Sequence, residues 1–346
     1  MSDCNGLDRR RVLAGAAAGA VALMALGTTA AAQESVTWRV QSHWPKASAS
    51  FDDSLQVLAD QLKERTEGRF TLELFGAGEF AKGPEIYNLV RRGVVEMGTT
   101  SPSYLQDEAQ TYAFAMGIPG SLREEWEMMH YIKNMGVEDL LNQELNPAGV
   151  IYFSEKVYPT ELVVKQPITS AQDFESLKLR SAGTMMDYLS AVGAAPQMVE
   201  GSELYQALSS GVVDGAHWGA AQGAQSMSLW EVAKYHLTPA LGITVDAYIV
   251  NKDAYEALPD DLRTTFTNLV NERFFLRSTE YQLMEQLALA EGQESQGVEV
   301  IELPQDVLDR FTEASQQIIE QESQRGELAQ QAADRLRELM TQLGYL

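Results

Sequence analysis

The 346-residue chain is poor in cysteine, in histidine and in positive charge. Its one cysteine, Cys4, excludes an intramolecular disulfide and any cysteine-rich metal site. Lys and Arg number 26 against 49 Asp and Glu, which gives a net charge of −23. Nucleic acids and anionic membrane surfaces are bound by basic faces, so neither is an expected partner. The 4 histidines are few enough to be considered one by one.

The chain also lacks an apolar run long enough to span a bilayer. The run Val12–Gly27 is only about 16 residues long. It follows three arginines at positions 9–11 and leads into small residues that end at Ala32. This pattern predicts a signal peptide over residues 1–32 and a periplasmic mature chain. The arginines and the weakly hydrophobic core favour twin-arginine export, with Sec export as the alternative.

What the chain has in quantity is core-forming material. The composition is 45% hydrophobic and 22% charged, with 11 Pro and 26 Gly. These proportions exclude a disordered chain, a collagen-like fibre and a disulfide scaffold. Domains average about 150 residues, so the length predicts two of them.

Hydrophobic periodicity predicts an α/β order at the start of the mature chain. Residues 36–40 and 70–74 alternate with period two, as strands do. Between them, apolar residues at helical spacing over 51–62 predict a helix. A second helix and a third strand at 94–98 follow. Helices that separate short strands imply a parallel sheet, and the same order recurs over residues 177–216.

This recurrence is visible in the letters as well as in the pattern. Residues 85–96 and 203–214 match at Glu, Tyr, Gly, Val and Val without a gap, at an offset of 118 residues. One explanation is a chance similarity of two amphipathic helices. The other, which we prefer, is two α/β lobes built on one plan.

We therefore predict two lobes and a helical C-terminal segment. Lobe one comprises residues 33–157 together with about 244–303, and lobe two comprises 158–243. A helix from about Pro259 to Glu291 is expected to cross both lobes. Residues 304–346 are expected to be helical, and their apolar side either packs onto a lobe or forms a homodimer contact.

The strand ends predict a cleft between the lobes. Ligands of parallel sheets bind beyond the carboxyl ends of the strands. Polar and aromatic residues stand at these ends in both lobes. In lobe one they are His43, Trp44, Thr99, Thr100 and Tyr104, and in lobe two they are His217 and Trp218.

Arg180 is the charge that points most directly to a ligand. It ends the predicted strand 177–180 and is followed closely by Gly183, which permits a close approach of ligand or backbone. A guanidinium matches a carboxylate in bidentate geometry. The alternative is an ordinary surface cation.

Motifs of catalysis are mostly missing from the sequence. It has no Gly-x-Ser-x-Gly, no His-Glu-x-x-His and no P-loop, and the glycines at 76–78 do not open a helix. No nucleotide cofactor is therefore expected. His43 and His217 are interpreted as hydrogen-bonding groups for a ligand. The alternatives are a joint metal site, or an acid and base in a periplasmic metal-dependent enzyme.

Two segments resemble a known family. Residues 167–180, which end in Leu-Lys-Leu-Arg, and residues 203–215 are similar to the DctP family of TRAP-transporter substrate-binding proteins. The resemblance implies a two-lobed fold of the periplasmic-binding-protein type II, with a hinged cleft. It implies that Arg180 binds the substrate carboxylate. It also implies that the protein is not an enzyme and delivers its solute to a membrane permease.

The sequence from His217-Trp218 to Tyr235 resembles the branch of this family that binds 2-oxo acids, sometimes with a sodium ion. In that branch a glutamate that helps to hold the cation precedes the tryptophan. Histidine is a poor ligand for a hard alkali ion, so the change to His217 weakens a cation site near Trp218. The same branch implies that a homodimer through the C-terminal helices is an option.

The sequence thus predicts a periplasmic receptor for a small organic acid, such as a 2-oxo acid or a related carboxylate. The rivals are the metal-dependent enzyme and a ligand-sensing partner of a signalling protein. Arg180 is expected to hold the carboxylate, with His217 and Trp218 on one side of the ligand. From lobe one we expect His43, Trp44, Glu79, Thr99, Thr100 and Tyr104 to close over it, with Glu161 as an extra contact.

Overall fold

A computed structural model describes residues 34–346, and the predicted signal peptide lies outside them. Within these residues a single mixed sheet of nine strands runs through the molecule. Its strands are β1 Val36–Gln41, β2 Phe70–Phe75, β3 Met97–Thr100, β4 Val150–Val164, β5 Lys178–Arg180, β6 Ala195–Gln197, β7 Gly215–Ala216, β8 Tyr235–Asn251 and β9 Glu299–Glu302.

Helices cover this sheet and connect its strands. They are α1 Val57–Arg65, α2 Ile86–Arg91, α3 Tyr112–Met116, α4 Glu125–Met129, α5 Val137–Leu145, α6 Thr184–Ala191, α7 Leu204–Ser210, α8 Ala221–Ser226, α9 Lys252–Glu256, α10 Asp260–Glu291, α11 Gln305–Ser323 and α12 Glu327–Gln342. No helix within residues 34–346 combines the length and the apolar character that crossing a membrane requires.

The sheet is parallel at both ends and antiparallel in the middle. The strand order is β2-β1-β3-β8-β4-β7-β5-β6. β1 pairs in parallel with β2 and β3, and β5 pairs in parallel with β6 and β7. We call the β1–β3 side the first lobe and the β5–β7 side the second lobe. The predicted two-lobed α/β fold is confirmed.

The 118-residue repeat is a repeat of structure. The offset of 118 residues relates the short 3₁₀ turn Gly83–Glu85 and α2 to the turn Gly201–Glu203 and α7. The same offset relates the start of β3 to β7. Gly211 ends α7 in the left-handed conformation with a φ of 81°, which favours glycine. The matched letters therefore mark the same helix–strand unit in each lobe.

Two long strands join the lobes, and neither was fully predicted. The sequence pattern indicates an extended chain only over residues 243–251 of the 17-residue β8, and it does not indicate β4 at all. They pair antiparallel with two register shifts, between Ser154 and Lys156 and between Thr160 and Leu162. β4 carries charged residues at these irregularities, so its apolar pattern is interrupted where bulges insert extra residues.

The long helix α10 confirms the prediction of a lobe-crossing helix. Its 32 residues correspond to about 48 Å of helix. It packs against α1 at the first lobe, against β4 at the centre and against α8 at the second lobe. One side of α10 is buried, including Phe266, Phe274 and Tyr281.

The C-terminal helices α11 and α12 pack on the body of the same chain. Phe311, Ile318 and Ile319 are buried in the largest apolar cluster, and Phe311 stacks on Tyr188 at a centroid distance of 4.2 Å. This is the first of the two outcomes predicted for the tail. Its apolar side is covered within the chain rather than left open for a second copy.

Candidate functional site

A cavity of about 70 Å³ lies between the two lobes. One water needs roughly 10–15 Å³, so the cavity admits only a small ligand. Its walls come from the ends of parallel strands in both lobes, and its floor comes from β4, β8 and α10. The lining includes His43, Trp44, Ser101, Ser103 and Tyr104 from the first lobe, Arg180, His217 and Trp218 from the second, and Tyr158, Thr160, Thr244, Asp246 and Tyr281 from the floor.

Arg180 ends β5 and is the cation of the cavity. Its side chain is 3% exposed. Nε donates to the Val199 carbonyl and Nη1 donates to the His217 carbonyl, both at 3.0 Å. The guanidinium carbon lies 5.0 Å from the centre of the Trp218 ring.

These contacts fix the guanidinium without neutralising it. Among residues 34–346 no carboxylate lies within ion-pair distance of Arg180. Burial lowers its pKa, but an arginine side chain keeps its proton in a protein. A buried charge without a counter-charge is costly, so the site is suited to an incoming anion.

His217 lies beside Arg180 as a neutral side chain. Its Nε2 is 3.2 Å from the Ser181 hydroxyl. Burial, together with the neighbouring Arg180 charge, holds the pKa of His217 well below its usual value. Its backbone carbonyl already accepts from Arg180. A neutral ring and a guanidinium do not suit a hard cation, so His217 and Arg180 do not fit the cation site that the family resemblance implies near Trp218.

His43 and Trp44 follow β1 and close the first-lobe side of the cavity. Nδ1 of His43 lies 2.7 Å from Thr99 Oγ1, and the backbone N–H of His43 donates to the same oxygen. Nε2 of His43 faces Asp246 Oδ1 at 3.7 Å. The tautomer with its proton on Nε2 suits both neighbours, because Thr99 then donates to Nδ1 and a donor faces the carboxylate.

Tyr104 faces the cavity from the short turn Pro102–Leu105 that follows β3. Burial raises the pKa of Tyr104 to about 12. The phenol therefore stays protonated and is available as a hydrogen-bond donor. Its ring meets His43 edge to face at a centroid distance of 6.0 Å.

A buried charged triad under the cavity was not predicted. Lys156 Nζ lies 2.8 Å from Glu155 Oε2 and 2.9 Å from Asp246 Oδ2. The bulge in β4 allows the consecutive residues Glu155 and Lys156 to be buried together. Lys156 also lies 4.5 Å from the centre of the Trp44 ring and 5.0 Å from that of Tyr158.

Asp246 is the member of the triad that faces the cavity. Burial alone would raise its pKa, but Lys156 and His43 hold the pKa of Asp246 below its usual value. The carboxylate therefore stays ionised. The signal for it in the sequence was the alternation Thr244-Val-Asp246, in which polar residues face one side of an apolar strand.

Four predicted residues lie outside the cavity lining. Thr99 supports His43 from behind, and Thr100 is buried within β3, which extends beyond the predicted strand end. Glu79 is directed outward by the turn after β2 and pairs with Lys46 at the surface. Glu161 is the extra residue of the second β4 irregularity and binds His236 instead.

Two glycines leave room for the rings of two cavity aromatics, and neither glycine was among the predicted site residues. A Cβ on Gly201 would lie 2.2 Å from the Trp218 ring, and one on Gly83 would lie 2.8 Å from the Tyr104 ring. The two glycines are related by the same offset of 118 residues. Extending the repeat by two residues toward the N-terminus would have found them.

Comparison with known proteins gives a consistent result. The profile of the DctP family, described as bacterial extracellular solute-binding protein, family 7, matches residues 41–325. A monocarboxylate 2-oxoacid-binding periplasmic protein of Nostoc sp. is 28% identical over 73% of this chain and 70% of its own length. A C4-dicarboxylate-binding periplasmic protein of Rhodobacter capsulatus is 29% identical over 79% of this chain and 80% of its own length.

The fold also has solved relatives. A TRAP-transporter solute-binding protein of Bordetella bronchiseptica superposes with a TM-score of 0.83 at 22% identity, over 90% of this chain and 94% of its own. That structure is described as a dimer with calcium and picolinate at its binding site. The rival hypothesis of a metal-dependent enzyme finds no support, because these relatives are solute-binding proteins and His43 and His217 each have separate partners.

Proposed function

Since this chain belongs to family 7 of the bacterial extracellular solute-binding proteins, we propose that it is the periplasmic receptor of a TRAP transporter and that Arg180 binds the carboxylate of its solute. The observation that carries the proposal is the buried guanidinium of Arg180, for which residues 34–346 supply no carboxylate. The receptor collects a small organic acid and delivers it to the membrane subunits of the transporter.

The surroundings of Arg180 suit a compact carboxylate. Trp218 covers one side of the guanidinium, and His217 contributes a neutral polar ring. From the first lobe, Tyr104 and His43 offer donors for a second oxygen of the solute. In this proposal Thr99 positions His43, and Trp44 closes the apolar side of the cavity.

Binding in this proposal closes the two lobes around the solute. The walls belong to different lobes, while the floor belongs to the strands that join them. One ion pair connects the two lobes beside the cavity. Lys82, in the loop that follows β2 of the first lobe, contacts Glu203, which directly precedes α7 of the second lobe, with Nζ and Oε1 2.8 Å apart. This exposed pair is formed only when the lobes are together, as expected for hinge closure.

The test measures binding of small carboxylates by calorimetry and by thermal shift. Arg180→Gln should abolish both the heat of binding and the rise in melting temperature. Lys178→Gln is the matched control, because it removes the same charge two residues earlier on β5, where the side chain is exposed. Retention of carboxylate binding in Arg180→Gln would contradict the proposal.

A homodimer through the C-terminal helices is a further part of the proposal. A solved relative is described as a dimer. Since the apolar sides of α11 and α12 pack within their own chain, such a contact would use the outer faces of these helices. Light scattering on the purified mature chain measures its mass in solution directly.

A further inference from the structure

We propose that the solute carries, besides its carboxylate, an O–H or N–H donor that Asp246 accepts, which makes it a 2-hydroxy or 2-amino carboxylate rather than a 2-oxo acid. This inference rests on the proposed function, because it assumes that Arg180 holds the carboxylate. It assigns a specificity-determining role to a residue on β8 that the family resemblance did not single out.

The cavity has two charged ends on different elements. Arg180 comes from β5 and Asp246 from β8, and both line the same space. In the described part of the chain these two groups do not pair with each other. A ligand that lies between them meets a cation on one side and an anion on the other, so it needs an anionic end and a donor end.

Asp246 has room for one more donor. Its Oδ2 accepts from Lys156 Nζ at 2.9 Å and from Trp44 Nε1 at 3.2 Å. Its Oδ1 accepts from the Tyr158 hydroxyl at 3.1 Å, but His43 Nε2 is 3.7 Å away, beyond a hydrogen bond. Each carboxylate oxygen accepts about two bonds, so Oδ1 retains an acceptor position.

The chemistry of an ionised carboxylate decides between ligand classes. An ionised Asp246 cannot donate, and a 2-oxo oxygen can only accept, so these two groups repel each other. A hydroxyl or an amino group at the same carbon donates to Oδ1 and gains a charge-assisted hydrogen bond. Bonds of this kind correspond to about a ten- to hundredfold change in affinity.

The first experiment needs no variant. Calorimetry compares matched unsubstituted, 2-oxo, 2-hydroxy and 2-amino acids of three to five carbons, beginning with propionate, pyruvate, lactate and alanine. We expect the best hydroxy or amino acid to bind at least about tenfold more tightly than its oxo and unsubstituted counterparts. Comparing lactate with alanine identifies whether the donor is a hydroxyl or an ammonium group.

Each outcome of this comparison has one meaning. Equal or tighter binding of the oxo acid overturns this inference and leaves the role of Arg180 intact. If no acid of the series binds, or if Arg180→Gln binds as well as the unaltered chain, the proposed function itself fails. The two failures are therefore distinguishable.

The second experiment assigns the preference to Asp246. In Asp246→Asn the ratio of hydroxy- or amino-acid to oxo-acid affinity should fall by about tenfold. The matched control is Glu155→Gln, which removes the same charge from the same Lys156 but does not line the cavity. In Glu155→Gln the ratio of hydroxy- or amino-acid to oxo-acid affinity should not change. An unchanged ratio in a folded Asp246→Asn overturns the inference, and the ligand series decides it if that variant does not fold.

Discussion

At the scale of single residues, the site is defined by groups that the fold leaves partly unsatisfied. Arg180 is buried and donates to two backbone carbonyls, and Asp246 retains an acceptor position. Neighbouring side chains have fixed positions, because Thr99 is hydrogen-bonded to His43 and the ring of Trp218 packs closely on Gly201. The site therefore combines fixed geometry with charges that a ligand completes.

The close packing of the Trp218 ring on Gly201 leads to a prediction for Gly201→Ala. The added Cβ would lie 2.2 Å from the ring, which must shift from its position over the Arg180 guanidinium. We expect carboxylate affinity to fall at least about tenfold, and stability to fall by about 1–3 kcal/mol, as in other overpacked sites. Calorimetry and denaturant unfolding measure the two effects. Ser202→Ala, at the exposed neighbouring position, is the control and should change neither.

At the scale of elements, the site depends on the junction of α10 and α8. Tyr281 of α10 lines the cavity and lies close beneath Gly219, in the loop that carries Trp218. One turn later, Glu285 accepts from the backbone N–H of Gln222 at 2.9 Å, within the first turn of α8. The lobe-crossing helix thus supports the second-lobe wall of the cavity through a buried carboxyl group.

Glu285 predicts a pH dependence of stability. Burial, with a smaller contribution from Glu161, raises the pKa of Glu285 to about 8. Between its ordinary pKa of about 4.5 and 8 the folded chain holds a proton here that the unfolded chain has lost. The contribution of Glu285 to stability is therefore fully present below pH 4.5 and is lost as the pH rises to about 8.

Glu285→Gln should remove this loss, because glutamine resembles the protonated acid at every pH. We expect the variant to melt higher than the unaltered chain at pH 8.5 and the difference to shrink toward pH 5. Thermal melts across this range measure the effect. Glu313→Gln, an exposed carboxyl on α11, should give a pH-independent difference. If the difference in melting temperature between Glu285→Gln and the unaltered chain were also the same at every pH, the claim that burial raises the pKa of Glu285 would be refuted.

At the scale of the whole molecule, β4 and β8 make two lobes into one folding unit. These strands of 15 and 17 residues pair along most of their length and carry strands of both lobes on their outer edges. α10 contacts elements of both lobes as well. If β4 and β8 separated, the sheet of each lobe would lose a neighbouring strand, because the sheet runs through both lobes by way of these two strands.

We therefore predict a single cooperative unfolding transition for the mature chain. A calorimetric melt should give equal calorimetric and van't Hoff enthalpies. A bound acid at about 100 times its dissociation constant should stabilise the chain by roughly 2.7 kcal/mol and shift the whole transition upward by several degrees. Two separate transitions, with only one shifted by the ligand, would contradict this account.

Local sequence patterns were enough to predict the two-lobed architecture and much of the cavity lining. Alternation and helical spacing predicted β1, β2, β5 and α10, because these elements have one clear apolar face. The 118-residue repeat predicted equivalent units in the two lobes. Strand ends predicted His43, Trp44, Tyr104, Arg180, His217 and Trp218, all of which line the cavity, although their roles in binding stay predictions. The exact lobe boundaries also stay a prediction.

The floor of the cavity and its charge depend on contacts between distant residues, so they became visible only in the fold. β4 has no simple period because bulges add Glu155 and Glu161 to an otherwise buried strand, so neither the strand nor its charges could be read from local pattern. The contact of Lys156 with Asp246 joins residues 90 positions apart. Whether a buried charge is already neutralised depends on such distant neighbours. For this reason the sequence could propose Arg180 as an anion site, while the fold alone established that, within residues 34–346, Asp246 is paired with a cation and Arg180 has no paired carboxylate.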